Sequence, residues 1–204
     1  MRKILSIALL ALFVWSCSNN GNGNTGGTFR VPLIVGQTDQ TGVTYNSNIQ
    51  SISFELESQD GDSTFFVANL DLDGNNSNDI VFTLVKWSDN QVLILRGRNG
   101  FEVPFSNNDF EILGTEQTIP GLTILVEGTT INESINNYIG LEDGFVTNTR
   151  GNSVSTSSNL SIWNNTVYLP FKNTTKDGWV GINIISNTGV QIDGIGIDVI
   201  AIRQ

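Results

Sequence analysis

The sequence predicts an all-β protein, an antiparallel two-sheet sandwich with a jelly-roll-like strand order. Apolar residues recur at every second position in short runs, which is the period of a strand with one buried face. Glycine, asparagine and aspartate separate these runs, and tight turns favour these residues. About ten short strands with spaced turns are typical of a sandwich, and a jelly roll is the predicted topology.

The first half of the chain predicts a meander of antiparallel strands. Ile52, Phe54 and Leu56 alternate with polar residues and define its first apolar face. Asn99-Gly100 is the strongest hairpin signal in the chain, because a type I′ turn needs positive φ at both positions. The predicted strands of this half cover residues 51–57, 65–70, 80–87, 91–98 and 101–103.

The second half predicts further strands on either side of a polar loop at residues 148–159. A short helical turn is predicted at residues 132–138. In the last strand, one continuous buried face is predicted, formed by Ile195, Ile197, Val199 and Ala201. The predicted strands of this half cover residues 121–127, 160–163, 166–171, 178–185 and 190–202.

Residues 1–17 predict an export signal. Arg2 and Lys3 precede a short apolar run that is too short to span a bilayer stably. Cys17, the single cysteine of the chain, stands where this segment ends. The last four residues, Val-Trp-Ser-Cys, resemble a bacterial lipobox, which implies that Cys17 is acylated and becomes the new N-terminus. The alternative is an ordinary cleaved signal with an incidental cysteine.

Residues 18–27 consist of serine, asparagine, glycine and threonine, a composition that predicts a flexible tether. No linker divides residues 28–204, which are predicted to form one β-sandwich domain. An asparagine-rich tether after a lipidated cysteine resembles the lipoproteins of Bacteroidetes. This resemblance implies a cell-envelope protein anchored by lipid to the outer membrane, on its periplasmic face or on the cell surface.

The chain is strongly acidic, with 10 basic and 20 acidic residues. Removal of the signal with Arg2 and Lys3 leaves 8 basic residues and a formal charge of −12. This charge argues against nucleic acid and anionic lipid headgroups as partners. The predicted partners are the membrane, through the lipid anchor, and a glycan or an envelope protein.

An oxygen-rich stretch at residues 71–79, here called the acidic loop, separates two predicted strands. Its odd positions follow the spacing by which a tight loop directs successive oxygens onto one hard cation. The spacing predicts a calcium site. A metal-free turn is the alternative, because aspartate and asparagine are common in turns, but three acids without a basic neighbour in the sequence repel each other. The predicted ligands are Asp71, Asp73, Asn75, Ser77 and Asp79.

The acidic loop is not an EF-hand, because Phe82 stands where the twelfth-position glutamate is required. It resembles the calcium loops of integrin-type FG-GAP repeats, Asp-x-Asp-x-Asp-Gly-x-x-Asp between two strands. The resemblance implies that Asp79 closes the site. Asn76 replaces the glycine of that pattern, and asparagine tolerates positive φ. The motif occurs once, so the resemblance does not extend to a propeller.

The residue inventory limits the possible chemistry. The chain contains no histidine, and its one cysteine is Cys17, so Ser-His-Asp and Cys-His catalysis and zinc-hydrolase sites are excluded. A glycosidase could use two carboxylates, but no spacing in the sequence pairs any two of the candidates. We therefore expect no enzymatic activity. The carboxylates considered are Glu55, Glu57, Glu127 and Glu142.

Four aromatic residues on or beside predicted strands could stack on sugar rings, although large aromatic residues are more often part of a core. They are Trp87, Trp163, Tyr168 and Trp179. The sequence thus predicts a calcium-stabilised envelope lipoprotein with a structural or interaction role. A carbohydrate-binding module of a surface glycan-uptake system is the alternative.

Overall fold

Fifteen strands follow one another in the part of the chain that the computed structural model describes, which comprises residues 31–47, 51–111, 118–131, 138–139, 144–150, 153–156, 163, 165–188 and 191–204. None of these residues is helical, so the predicted all-β class is confirmed. Within the same ranges, no helix is long and apolar enough to cross a bilayer. Cys17, the tether, Glu142 and the helical turn predicted to begin at residue 132 lie outside the described residues, apart from the last residue of that turn.

Nine strands form the larger sheet, in the order β10-β7-β8-β11-β6-β5-β4-β3, with β12 paired to β11. The consecutive strands β3 to β6 lie side by side as an antiparallel meander, as predicted. This order does not confirm a jelly roll. The strands are β3 (Glu55–Asp60), β4 (Ser63–Leu70), β5 (Ile80–Trp87), β6 (Asn90–Gly97), β7 (Val103–Glu111), β8 (Thr118–Leu122), β10 (Tyr138–Ile139), β11 (Gly144–Arg150) and β12 (Ser153–Thr156).

Two smaller sheets complete the fold. A four-stranded antiparallel sheet has the order β13-β14-β15-β2, and β1 pairs with β9 in a two-stranded sheet. Their strands are β1 (Leu33–Ile34), β2 (Val43–Asn46), β9 (Thr130–Ile131), β13 (Val167–Lys172), β14 (Asp177–Ile185) and β15 (Gly194–Arg203). Residues Pro32–Gln204 form one compact unit.

The main hydrophobic core combines side chains from the nine-stranded and the four-stranded sheets, as expected for a sandwich. Alternate residues of the meander, such as Phe82 and Leu84, are buried together with Leu169 and Val180 of the smaller sheet. Full burial of one such side chain contributes about 1.5–3 kcal/mol to folding. The period-two pattern of the sequence therefore corresponds to one shared core between two layers.

The Asn99-Gly100 turn forms, but the predicted hairpin does not. Asn99 and Gly100 have φ values of 52° and 81°, as a type I′ turn requires. The chain does not turn back onto β6. Glu102 forms an isolated bridge with Lys172 of β13, and β7 then begins at Val103 and pairs with β8 and β10 in the larger sheet. The ring of Phe101 packs edge-on against Phe171 at 5.7 Å in the main core. The core contact of Phe101 is thus accompanied by a single bridge to the smaller sheet in place of a hairpin with β6.

The prediction for the last strand was partly wrong, because the strand contains a β-bulge. The pairing of β14 with β15 shifts between Gly181 and Ile182, which leaves Asp198 as the extra residue. Because one additional residue reverses the side-chain alternation, Ile200 takes the place in the main core that Val199 was predicted to fill. Ala201 is buried on the opposite face. The predicted single buried face is therefore divided between two cores.

The prediction of a polar loop at residues 148–159 was wrong for the part of this range that the structure describes. Strand β11 continues to Arg150, and β12 pairs back onto it with Thr149 opposite Val154. Serine and threonine have the backbone groups that an antiparallel ladder needs, so a polar composition does not exclude a strand. Polarity therefore did not distinguish a peripheral hairpin from a loop.

The first predicted apolar face is also only partly correct. Ile52 and Phe54 pack against the main core, but Leu56 is 60% exposed. The β3–β4 pairing shifts between Leu56 and Ser58, and every residue of β3 is exposed at the edge of the sheet. An edge strand beyond the reach of the second layer buries neither of its faces.

Candidate metal centre

The acidic loop joins β4 to β5 and is closed at its base by backbone pairing. Leu70 lies opposite Ile80 in the ladder, and the Asp79 N–H donates to the Leu70 carbonyl at 2.9 Å. Leu72, just inside the loop, is 5% exposed and belongs to the main core. The loop is thus fixed to the sandwich at both ends and by one buried side chain.

The side chain of Asp71 organises the loop from its first position. Its Oδ1 accepts the N–H of Gly74 at 2.7 Å and those of Asp73 and Asn75 at 3.2 Å. Its Oδ2 accepts the Asn76 N–H at 2.7 Å. A carboxylate that gathers several backbone N–H groups curls the chain around itself. Asn76 has a φ of 63°, as expected for the residue that replaces the glycine of the calcium pattern.

The turn between β6 and β7 is hydrogen-bonded to the last residues of the acidic loop. The Arg98 N–H donates to the Asp79 carbonyl at 2.8 Å, and Asn99 Nδ2 donates to the Asn78 carbonyl at 2.8 Å. These bonds satisfy backbone oxygens at the end of the loop. The Asn99-Gly100 turn therefore positions the last carboxylate of the motif.

Asp79 is the most deeply buried acidic residue of the loop. The residue is 0% exposed. Its Oδ2 accepts the Leu72 N–H at 2.9 Å, whereas its Oδ1 is buried without a hydrogen-bond partner among the residues that the structure describes. A buried carboxylate oxygen without a partner is costly, since water no longer solvates it.

Three carboxylates converge in this loop. Asp71, Asp73 and Asp79 each offer an oxygen, and these oxygens lie within 4.8 Å of one another. Such a cluster can hold a metal ion, because one cation can contact all three oxygens. The structure therefore brings together three of the five predicted ligands.

Burial is the main reason that the pKa of Asp79 is raised above its ordinary value of 3.8. The negative charges of Asp73 and Asp71 raise this pKa further, while the hydrogen bond from the Leu72 N–H opposes the rise. The electrostatic environment thus disfavours a charged Asp79. A cation between the carboxylates would reverse this effect.

Asn75 and Ser77 are the two remaining predicted ligands of the acidic loop. Asn75 is exposed, and its Oδ1 accepts the Ser77 N–H at 2.7 Å. Ser77 is half-buried. Their roles as the neutral ligands of the site stay predictions.

Lys176 contacts the acidic loop, and this contact was not predicted from the sequence. It lies in the turn between β13 and β14, and its Nζ contacts Asp73 Oδ2 at 2.6 Å. The expectation that the loop has no basic neighbour holds along the sequence but is wrong in space. The two residues are 103 positions apart, and no local pattern in the sequence signals this contact.

The proposed glycan-binding residues do not form one surface. Trp179 is fully buried, and Tyr168 is 9% exposed with its ring packed edge-on against Trp179 at 5.2 Å. Both lie in a second core, on the other face of the four-stranded sheet, with Val35 and Ala201. They cannot stack on a sugar, since they pack on each other, and the prediction was wrong for these two residues.

The other two tryptophans are partly exposed but lie in separate clusters. Trp87, at the end of β5, packs beside Val92, and Trp163 packs against the main core. Glycan stacking stays a prediction for these two side chains.

Of the candidate carboxylates, Glu55 and Glu57 are exposed on β3, and Glu127 is exposed beyond β8.

The comparisons with known proteins add no relative. No family model, no curated protein and no solved structure matches the chain at a significant level.

Proposed function

We propose that the acidic loop binds calcium and that this ion stabilises the sandwich of an envelope lipoprotein with a structural or interaction role. The observation that carries the proposal is Oδ1 of Asp79, a buried oxygen without a hydrogen-bond partner among the described residues. The carboxylate to which it belongs lies close to those of Asp71 and Asp73. A bound cation supplies the missing partner and offsets the repulsion among the three acids.

The donor set favours calcium over magnesium. Asp71, Asp73 and Asp79 supply carboxylate oxygens, and the predicted ligands Asn75 and Ser77 add neutral ones. Calcium accepts six to eight oxygens in flexible geometry, whereas magnesium requires a near-ideal octahedron and retains its waters. An irregular nine-residue loop that contributes several oxygens at once suits calcium.

The location of the ion argues for stabilisation and not for catalysis. The loop joins two adjacent strands of the larger sheet, and Leu72 anchors it in the main core. An ion held there binds the folded chain and not the unfolded one. At ten to one hundred times its dissociation constant, such an ion adds about 1.4–2.7 kcal/mol to the free energy of unfolding.

The proposed setting is the cell envelope. Its support is the signal at residues 1–17 and the tether at residues 18–27. Lipid on Cys17 would anchor the protein to the outer membrane, where extracytoplasmic calcium is available to a site of modest affinity.

Titration calorimetry with calcium and with magnesium tests the proposal directly on the purified, metal-stripped protein. We expect one calcium ion per chain and much weaker binding of magnesium. No heat with either ion, together with identical thermal unfolding in calcium and in chelator, would reject the metal centre and leave a metal-free turn.

A further inference from the structure

We propose that the Lys176 ammonium and a divalent ion are alternative counterions of the acidic loop, so that Lys176 sets the calcium affinity of the site. The inference rests on the proposed calcium function and adds a means of regulation to it. Lys176 Nζ lies 2.6 Å from Asp73 Oδ2, and the Asp73 side chain is only 6% exposed. The ammonium therefore covers one of the three clustered carboxylates.

The turn that carries Lys176 is built to hold the residue in place. Asn173 Oδ1 accepts the N–H of Thr175 at 2.8 Å and that of Lys176 at 2.7 Å. The Asn173 N–H in turn donates to the Lys176 carbonyl at 2.7 Å. Because these bonds fix the backbone at position 176, the ordering cost of the ion pair is reduced. Lys176 is thus presented to the loop by a preformed turn.

One ammonium does not satisfy the cluster. Lys176 pairs with Asp73, while Asp79 Oδ1 has no hydrogen-bond partner in the described part of the chain. A divalent ion can contact Asp71, Asp73 and Asp79 together, since their oxygens lie within 4.8 Å of one another. The ion and the ammonium are both positively charged. Because both would contact Asp73, they would lie close together, and their repulsion weakens ion binding.

Two consequences follow for the protein in solution. In the metal-free state, Lys176 reduces the repulsion among the acids and joins the acidic loop to the turn between β13 and β14. When calcium binds, the ammonium must release Asp73 or stay close to the ion at an electrostatic cost. Calcium therefore exchanges a contact between the two sheets for a contact within the loop.

Lys176→Gln tests the inference by titration calorimetry with calcium and by thermal unfolding in chelator. Without the competing charge, we expect calcium to bind roughly three- to thirtyfold more tightly. The metal-free variant should unfold at a lower temperature, because the acids lose their counterion. Lys176→Arg retains the charge and should keep the wild-type affinity to within about twofold, because the repulsion of the ion depends on that charge.

Lys172→Gln provides the matched control. Lys172 lies in the same hairpin and pairs with Glu102 at 3.8 Å, with 43% of its side chain exposed, so its loss should leave calcium affinity unchanged. Unchanged or weaker calcium binding by Lys176→Gln, while the wild type binds the ion, would overturn the exchange but not the metal site. If neither protein binds calcium, the proposed function fails and the exchange fails with it.

Discussion

The Leu72 backbone N–H donates to Oδ2 of Asp79 at 2.9 Å, and this bond divides the Asp79 carboxylate into one satisfied and one unsatisfied oxygen. Leu72 itself is fixed in the main core. Because the donor cannot move without disturbing that packing, the carboxylate keeps its orientation.

The pH dependence of stability is the first prediction. Because burial and two nearby acids raise the pKa of Asp79 above 3.8, the folded state binds more protons than the unfolded state over a window above that pH. In the metal-stripped protein, the contribution of Asp79 to the free energy of unfolding should therefore fall as pH rises through the window. Since calcium competes with the proton, the stabilisation by calcium should grow over the same range.

Melting temperatures across acidic to neutral pH, with and without calcium, check this expectation. Asp79→Asn serves as the reference, because its side chain does not titrate. If the difference in melting temperature between the metal-stripped wild type and Asp79→Asn is the same at every pH, Asp79 does not titrate as the structure implies.

Gly97→Ala should destabilise the fold by about 1–3 kcal/mol, because a Cβ at this position would lie 2.1 Å from the Phe101 carbonyl oxygen. The glycine permits the close approach that turns the chain beneath the acidic loop. Displacement of the turn should also weaken calcium binding, since the Arg98 N–H holds the Asp79 carbonyl. Urea unfolding and calcium titration measure both effects.

Gly194→Ala is the control for that substitution. The nearest atoms to a Cβ at Gly194 lie 3.7 Å away, which is ordinary contact. The free energy of unfolding of Gly194→Ala should differ from that of the wild type by less than about 1 kcal/mol. Equal effects of the two alanines would show that the close approach at Gly97 is unimportant.

Replacement of Cys17 by Ser should release the protein from membranes, because the predicted acyl chains would have no attachment site. Fractionation of cells that express the two forms measures the difference. An intact mass that corresponds to an unmodified cysteine in membrane-extracted wild-type protein would contradict lipidation.

The carbohydrate-binding alternative predicts that glycan stacking depends on Trp87 or Trp163 and not on the buried Trp179. Polysaccharides should then quench tryptophan fluorescence and retard the protein in affinity gels, and Trp87→Ala or Trp163→Ala should reduce both effects. Unchanged mobility of the wild type with every polysaccharide would remove the carbohydrate-binding alternative.

The parts of the fold that local patterns determine were predictable from the sequence. Strand β5 has the predicted bounds, Ile80–Trp87, and the acidic loop before it adopts positive φ at Asn76, where the motif needs it. Alternation and turn chemistry act over a few residues, so they can be recognised in one sequence. The convergence of Asp71, Asp73 and Asp79 follows from the same short range.

The parts that depend on distant contacts were not predictable. The bulge at Asp198 reverses the buried face, and the glycines near it, Gly181 and Gly196, do not indicate in the sequence at which residue the register shifts. The turn at Asn99-Gly100 is not followed by a strand paired with β6, because Phe101 packs on Phe171, seventy residues later in the chain. Lys176 reaches Asp73 through the packing of two layers. In each case, tertiary packing overrides or extends the local pattern.

Thermal unfolding of wild type and Asp79→Asn, each in calcium and in chelator, tests the central claim most directly. The asparagine can still accept the Leu72 N–H but removes the buried charge, so the metal-free variant should be at least as stable as the metal-free wild type. Calcium should raise the wild-type melting temperature by roughly 3–10 °C and leave that of the variant unchanged. Asp89→Asn, in the exposed turn after β5, should respond to calcium as the wild type does. An equal calcium shift in wild type and Asp79→Asn, or no shift in the wild type, would contradict the account.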